Sequence, residues 1–188
     1  MDFSHCLKLR YFLQFLQWRD NYGGGLEVPV IMKIKICKNR RYQFPYFNLS
    51  MPVLIRKNKS FSISKQFLFT DSSIYGFNDG SRSDINKLFG FSIGHHHTDS
   101  FRFGWRPNID LSKIEIVSYE YLNGIRVKET FVCDVKLNEW YQFKLKYCSV
   151  IEYIQYTVTD NNDIRTTIMH PIELKNNKKW GYRLGFWW

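Results

Sequence analysis

NKLFGFSIGHHHTDSFRFGW, residues Asn86–Trp105, decides how the rest of the chain is read. Phe89, Phe91 and Ile93 alternate with Gly90, Ser92 and Gly94. After three histidines, Phe101, Phe103 and Trp105 alternate with Arg102, Gly104 and Arg106. Side chains two apart share a face of an extended chain, so two such runs around a short polar break predict two half-buried strands and a hairpin. A lone hairpin is marginal in water, and its apolar face therefore demands a second sheet.

The flanking sequence supplies that sheet. Downstream, Lys113–Leu122 is apolar on both faces and suits a central strand, and Asn123-Gly124 is a strong two-residue hairpin signal. Ile125–Val135 is expected to pair back, with Ile125, Val127, Phe131 and Cys133 on one face. Tyr141, Phe143, Leu145 and Tyr147 alternate with Gln142, Lys144 and Lys146. Val150–Thr159 continues the pattern, a turn follows at Asp160–Asp163, and Ile164–Met169 returns. Trp180, Tyr182, Leu184 and Phe186 close the chain on one face. Upstream, Phe61–Phe69 reads as a strand, followed by a turn-rich loop around Asn78-Asp79-Gly80. About ten short strands at this spacing predict an all-β, antiparallel two-sheet sandwich. The absence of βαβ alternation argues against an α/β enzyme fold.

The 188 residues are enough for one domain with a substantial core, and the 18% aromatic share tilts the composition toward strands. The net charge of +10 is concentrated. Residues 1–31 balance three basic against three acidic groups, whereas 32–69 hold nine basic residues and no acidic one. The remaining fifteen basic and fourteen acidic groups nearly cancel. Residues 1–31 carry a helix-like apolar spacing around Phe12, Leu13 and Leu16 and end near Gly23-Gly24-Gly25. They are expected to form a helical or poorly ordered leader, with the sandwich domain running from 32 to 188. A shortened chain that begins at Met32 should therefore fold. Cys6, Cys37, Cys133 and Cys148 form no C-x-x-C pair. With no visible signal peptide or membrane-length apolar run, the expected setting is cytoplasmic or virion-associated, with no membrane partner.

Two resemblances follow from particular runs. DINKLFGFSIGHHHTDSFRFGW at 84–105, YEYLNG at 119–124 and GYRLGF at 181–186 look like a set of small proteins of bacteroidete bacteria and their phages. NEWYQFKLKY at 138–147 followed by YIQYTVTD at 153–160 resembles the strand pair of lectin-like jelly rolls of the concanavalin A and laminin-G type. The first implies a phage or prophage association. The second implies a jelly roll that binds sugars or serves as a structural module.

The chemistry legible in the residues is that of binding. His95 and His97 point the same way on an extended chain, with Asp99 beyond them. A His-x-His pair without a third ligand at fitting spacing does not define a metal site, and no metal or other cofactor is expected. Glu115 and Glu120 are five apart on one strand and face opposite ways, so they are no glycosidase pair. No nucleophile elbow or phosphate loop is present. The expectation is a non-catalytic binding or assembly module whose partner is a carbohydrate or a protein surface. Arg102 and Arg106, flanking Gly104, are candidate ligand contacts. Internal pairing, for instance with Glu115 or Glu120, is the competing role for these arginines. Tyr75, Phe77, Asn78 and Asp79 form a candidate sugar-binding loop, and Trp187 and Trp188 are further aromatic candidates. The alternative is a nucleic-acid-binding protein using Lys33, Lys35, Lys38, Arg40, Arg41 and Tyr42, cations beside an aromatic ring. Nothing in the sequence fixes an oligomeric state.

Overall fold

The computed structural model describes residues 52–54, 60–75, 84–127, 129–175 and 180–184. The strands are β1 (Pro52–Leu54), β2 (Phe61–Leu68), β3 (Asn86–Ile93), β4 (Ser100–Pro107), β5 (Ile114–Leu122) and β6 (Ile125–Arg126). They continue with β7 (Phe131–Val135), β8 (Trp140–Cys148), β9 (Tyr153–Thr159), β10 (Arg165–Pro171) and β11 (Trp180–Leu184). Among the described residues they form two antiparallel sheets. One is seven-stranded, ordered β1-β11-β3-β4-β5-β6 with β7 also on β5. The other is four-stranded, ordered β10-β9-β8-β2. The chain changes sheet after β1, β2, β7 and β10, the sheet-switching path of a jelly roll. Late-made β11 inserts between β1 and β3. Among the described residues no helix is long and apolar enough to cross a membrane.

The opening stretch folds as its period dictates. Phe89 pairs with Phe103 and Phe91 with Phe101 across β3 and β4. All four rings are buried. They meet the other sheet ring to ring: Phe67 stacks 5.6 Å from Phe89, and Phe103 stands edge-on to Phe143 and Tyr156 at 5.3 and 5.0 Å. Such edge-on contacts add about 0.5–1.5 kcal/mol each to what burial provides. Asn123 and Gly124 take φ of 53° and 84°, the left-handed pair a tight hairpin needs.

The return strand differs from the expected one. Ile125 and Phe131 are exposed, while Val132 and Val135 are in the core. The register between β5 and β7 shifts at Ile116/Val117, and the inserted residue reverses which side chains face in. Ser118 holds the irregularity, since its hydroxyl accepts the Thr130 N–H. Val150 and Ile151 lie exposed before β9, and Trp180 is exposed at the start of β11 while Leu184 is buried.

The four-stranded sheet alternates cleanly. Tyr141, Phe143, Leu145 and Tyr147 of β8 face the core, and Gln142 and Lys144 face water. Register sets Ser64, Lys144, Thr157 and Thr167 in one outer row, and Ser62, Lys146, Gln155 and Met169 in the next. On β2, at the edge of the sheet among the described strands, Lys65 shares the inward face with Ile63 and Phe67, its ammonium 5.7 Å from the Phe89 ring centre. An inward-pointing charge on an edge strand discourages pairing with another sheet.

Candidate functional site

At one end of the sandwich the loops are tied together. Asp99, which is buried, accepts the Asn123 N–H at 2.8 Å through its carboxylate. Gly124 N–H reaches the Thr98 carbonyl at 2.8 Å. The Asn123 side chain donates to the Glu173 carbonyl and accepts the Lys175 N–H, both at 3.0 Å. This clamp gives the Asp99 carboxylate a structural task at the Asn123 turn. The His95 and His97 rings lie stacked with centres 5.5 Å apart. Burial and the neighbouring His97, His95, Arg102 and Lys87 push His96 down to about 4, so it is neutral at ordinary pH. Among the described residues no group of three His, Cys, Asp or Glu side chains is placed to hold a metal ion.

Arg106 makes a two-pronged pair with Glu115, Nε to Oε2 at 3.1 Å and Nη2 to Oε1 at 2.6 Å, so the competing internal role is the one it fills. Hydrogen bonding to Glu115 holds its guanidinium above the usual range. Arg102 is buried on the outer side of the seven-stranded sheet, paired in register with Gly90 and Tyr119. Lys87 and Arg126 lie over the Tyr119 ring at 5.0 and 4.8 Å, and Arg126 is also paired with Glu129. Burial first, then Arg102 and Arg126, lowers the Lys87 ammonium. Tyr75 accepts a hydrogen bond from Asn86 and packs edge-on against Trp105 at 6.0 Å. Burial pushes its phenol up to about 12. It anchors a loop to the core. The structure thus separates Arg102, Arg106 and Tyr75 by role.

Phe77, Asn78, Asp79, Lys33, Lys35, Lys38, Arg40, Arg41, Tyr42, Trp187, Trp188, Cys6, Cys37 and the 1–31 leader lie outside the described residues. Of the two described cysteines, Cys133 is half-buried against the core and burial pushes its thiol up to about 12. Cys148 is lowered instead, by the Ser60 hydroxyl and the Ile151 and Val150 amides.

Two features escaped the reading of the sequence. The first is a buried polar cluster between the sheets. Glu120 faces inward and takes His170 Nδ1 at 2.7 Å, and that hydrogen bond holds the imidazole above its usual range. Tyr156 is wholly buried beside them. Burial, then the Glu120 carboxylate, raises its phenol well above the usual range. Glu115 and Glu120 do face opposite ways, one onto Arg106 and one onto His170.

The second is a groove of about 560 Å³, within the range of ligand sites. It opens at the edge of the sandwich between β7 and the β9–β10 turn. Lys113, Asp134, Lys136 and Glu139 line one side, Asp160, Asn161 and Asn162 the other, with the buried Val158 and the exposed Ile164 as apolar lining. Asp160 shapes the turn, its Oδ1 accepting the Asn162 and Ile164 N–H groups at 2.8 and 2.9 Å. Glu139 accepts the Tyr141 hydroxyl at 3.1 Å and sits 3.6 Å from Lys136. The Asn161 and Asn162 side-chain amides make no hydrogen bond among the described residues and are exposed. The Asp160–Asp163 run was legible as a turn. Its meeting with β7 depends on sheet packing, which no local pattern encodes.

No family model matches the chain, and no curated protein matches it. Among solved structures it resembles peanut lectin with a nine-residue peptide, PVIWSSATG. The TM-score is 0.39 and the identity 17%, with 71% of this chain and 68% of the lectin chain covered. A likeness of that size carries no argument about ligand, and the sandwich assignment stands on the strand pairing itself.

Proposed function

We propose that this chain is a non-catalytic binding module that takes a saccharide in the groove between β7 and the β9–β10 turn. The observation that carries the reading is the pair of exposed amides, Asn161 and Asn162, without hydrogen-bond partners among the described residues and set beside apolar lining and flanking charges. A sugar ring offers hydroxyls to the first and C–H surface to the second, and such sites combine apolar area with a few placed polar groups. The carboxylates here are poorly suited to glycoside hydrolysis. Asp134 is exposed to water, Glu139 is engaged by Tyr141 and Lys136, and Asp160 by two amides. A general acid for that reaction is desolvated to keep its proton.

Calorimetric titration with a panel of neutral and acidic oligosaccharides tests this. The double variant Asn161→Ala, Asn162→Ala should bind about tenfold or more weakly at unchanged melting temperature, since each lost hydrogen bond is worth roughly 1 kcal/mol. Equal affinity in the variant, binding to no saccharide, or release of new reducing ends would reject the reading. The alternative, nucleic acid held by the basic segment around Lys33–Tyr42, predicts instead tight, salt-steep binding to any DNA or RNA. A protein surface as the ligand predicts loss of partner binding in the same double variant with no response to sugars.

A further inference from the structure

We infer that the outer face of the four-stranded sheet is a docking surface for an extended acidic polysaccharide, a polymer of uronic or sulfated sugars. The inference rests on the saccharide reading above only in preferring a polysaccharide to a nucleic acid. Its first support is composition placed by topology. None of the strands β2, β8, β9 and β10 contains an aspartate or glutamate, whereas β5 and β7 of the other sheet contribute Glu115, Glu120 and Asp134. The outward side chains of the four strands include three cations, Lys144, Lys146 and Arg165, and none of them has an ion pair among the described residues.

Geometry gives the second support. Lys144 and Lys146 are two residues apart on β8, so their stems rise from one face about 7 Å apart. Arg165 lies two strands away, opposite Thr159, which in turn pairs with Gln142. Four strands span about 14 Å, a platform wide enough for a polymer to lie across rather than a pit for one ring. Between the cations stand amides and hydroxyls, among them Gln142, Gln155 and Thr157, which match sugar hydroxyls. Single-stranded nucleic acid is held by aromatic rings interleaved with cations. Here the outer aromatics, Trp140 and Tyr153, lie at opposite ends of the strands and are half-buried, leaving the cationic rows without a stacking ring.

The test titrates the full chain and the variant Lys144→Gln, Lys146→Gln, Arg165→Gln with polygalacturonate, dextran sulfate, neutral dextran and polyuridylate. Between about 50 and 200 mM salt the affinity of the unmodified chain for either acidic polysaccharide should fall roughly 20- to 40-fold for three such contacts. That of the variant should fall less than about threefold. If the triple variant does not fold, Lys144→Glu and Lys146→Glu made singly should each show the same direction. An unchanged salt response in the variants, or polyuridylate binding as tightly as the acidic polysaccharides, overturns the inference. If acidic polymers bind with this dependence and no neutral saccharide binds, the groove reading falls and the docking face stands. If neutral saccharides bind through Asn161 and Asn162 and acidic polymers bind no better, the docking face falls and the groove stands.

Discussion

In β8, buried and wet positions alternate along the whole strand, whereas β3 and β4 of the other sheet stay out of water on both faces for most of their length. The outward row of β8 is Gln142, Lys144 and Lys146. The corresponding row in β3 and β4 is Gly90, Ser92, Arg102 and Gly104. Both rows read as polar in a two-letter pattern, yet the second is made mostly of residues that occupy little height. A methyl group added at Gly90 would sit 1.9 Å from the Phe101 carbonyl oxygen and 2.8 Å from Arg102 Cγ. The size of the polar residues, more than their polarity, thus distinguishes the open outer row of β8 from the buried row of β3 and β4, where the paired strand and its Arg102 stem crowd Gly90.

The largest expected effect lies in what the two sheets share. Phe103→Ala removes a ring that touches both, and should cost about 3–5 kcal/mol in denaturant unfolding. A loss under about 1 kcal/mol would mean the ring is not in the inter-sheet core. Next, Gly90→Ala should destabilise by about 1–3 kcal/mol, the cost of overpacking where backbone must yield. A substitution at Thr157 of the open face, as Thr157→Val, should shift stability by under about 0.5 kcal/mol. Equal costs at the two sites would erase the distinction between the faces.

A smaller effect reports on the seam between the sheets. His170 has its folded-state value raised by Glu120, so its contribution is fully present below the unfolded value of about 6.5 and is lost as pH rises through the folded value. Melting temperature should therefore decline across that window in a component that His170→Gln removes. An identical pH profile in the variant would show that the contact does not help join β10 to β5. At the groove wall, Lys136→Ala should change stability by under about 1 kcal/mol, since its pair with Glu139 is solvent-exposed. A larger loss in thermal unfolding would show the groove wall to be structural.

Much of the fold was legible because period two is a local property. The Asn86–Trp105 hairpin, the Asn123-Gly124 turn and the inward row of β8 all lie where alternation and turn chemistry put them. Phe131 was misread because one inserted residue at the β5–β7 register shift reverses the face, and nothing in IRVKETFVC marks the insertion. The candidate sites were less legible. Arg106 read either as a ligand contact or as paired with Glu115 or Glu120, and only the strand register sets it on Glu115. Glu120, Tyr156 and His170 come from three strands and meet only after the sheets pack. The absence of acidic residues in four strands was open to inspection, but it acquires meaning only once topology makes those strands neighbours.

The position of β11 has a consequence for how the molecule is made. Strand β1 spans Pro52–Leu54, and among the described strands its pairing partner begins at Trp180. Contacts of such long reach are slow to form, because the loop must close before the pairing rewards it. On the ribosome, which delivers the N-terminal part first, β1 and the β11-facing edge of β3 must therefore wait for nearly the whole described chain to emerge. The two hairpins β3–β4 and β8–β9 are complete long before. The sandwich is closed late, and a ribosome-bound chain ending before residue 180 should be readily cut by protease near β1 and compact at those hairpins.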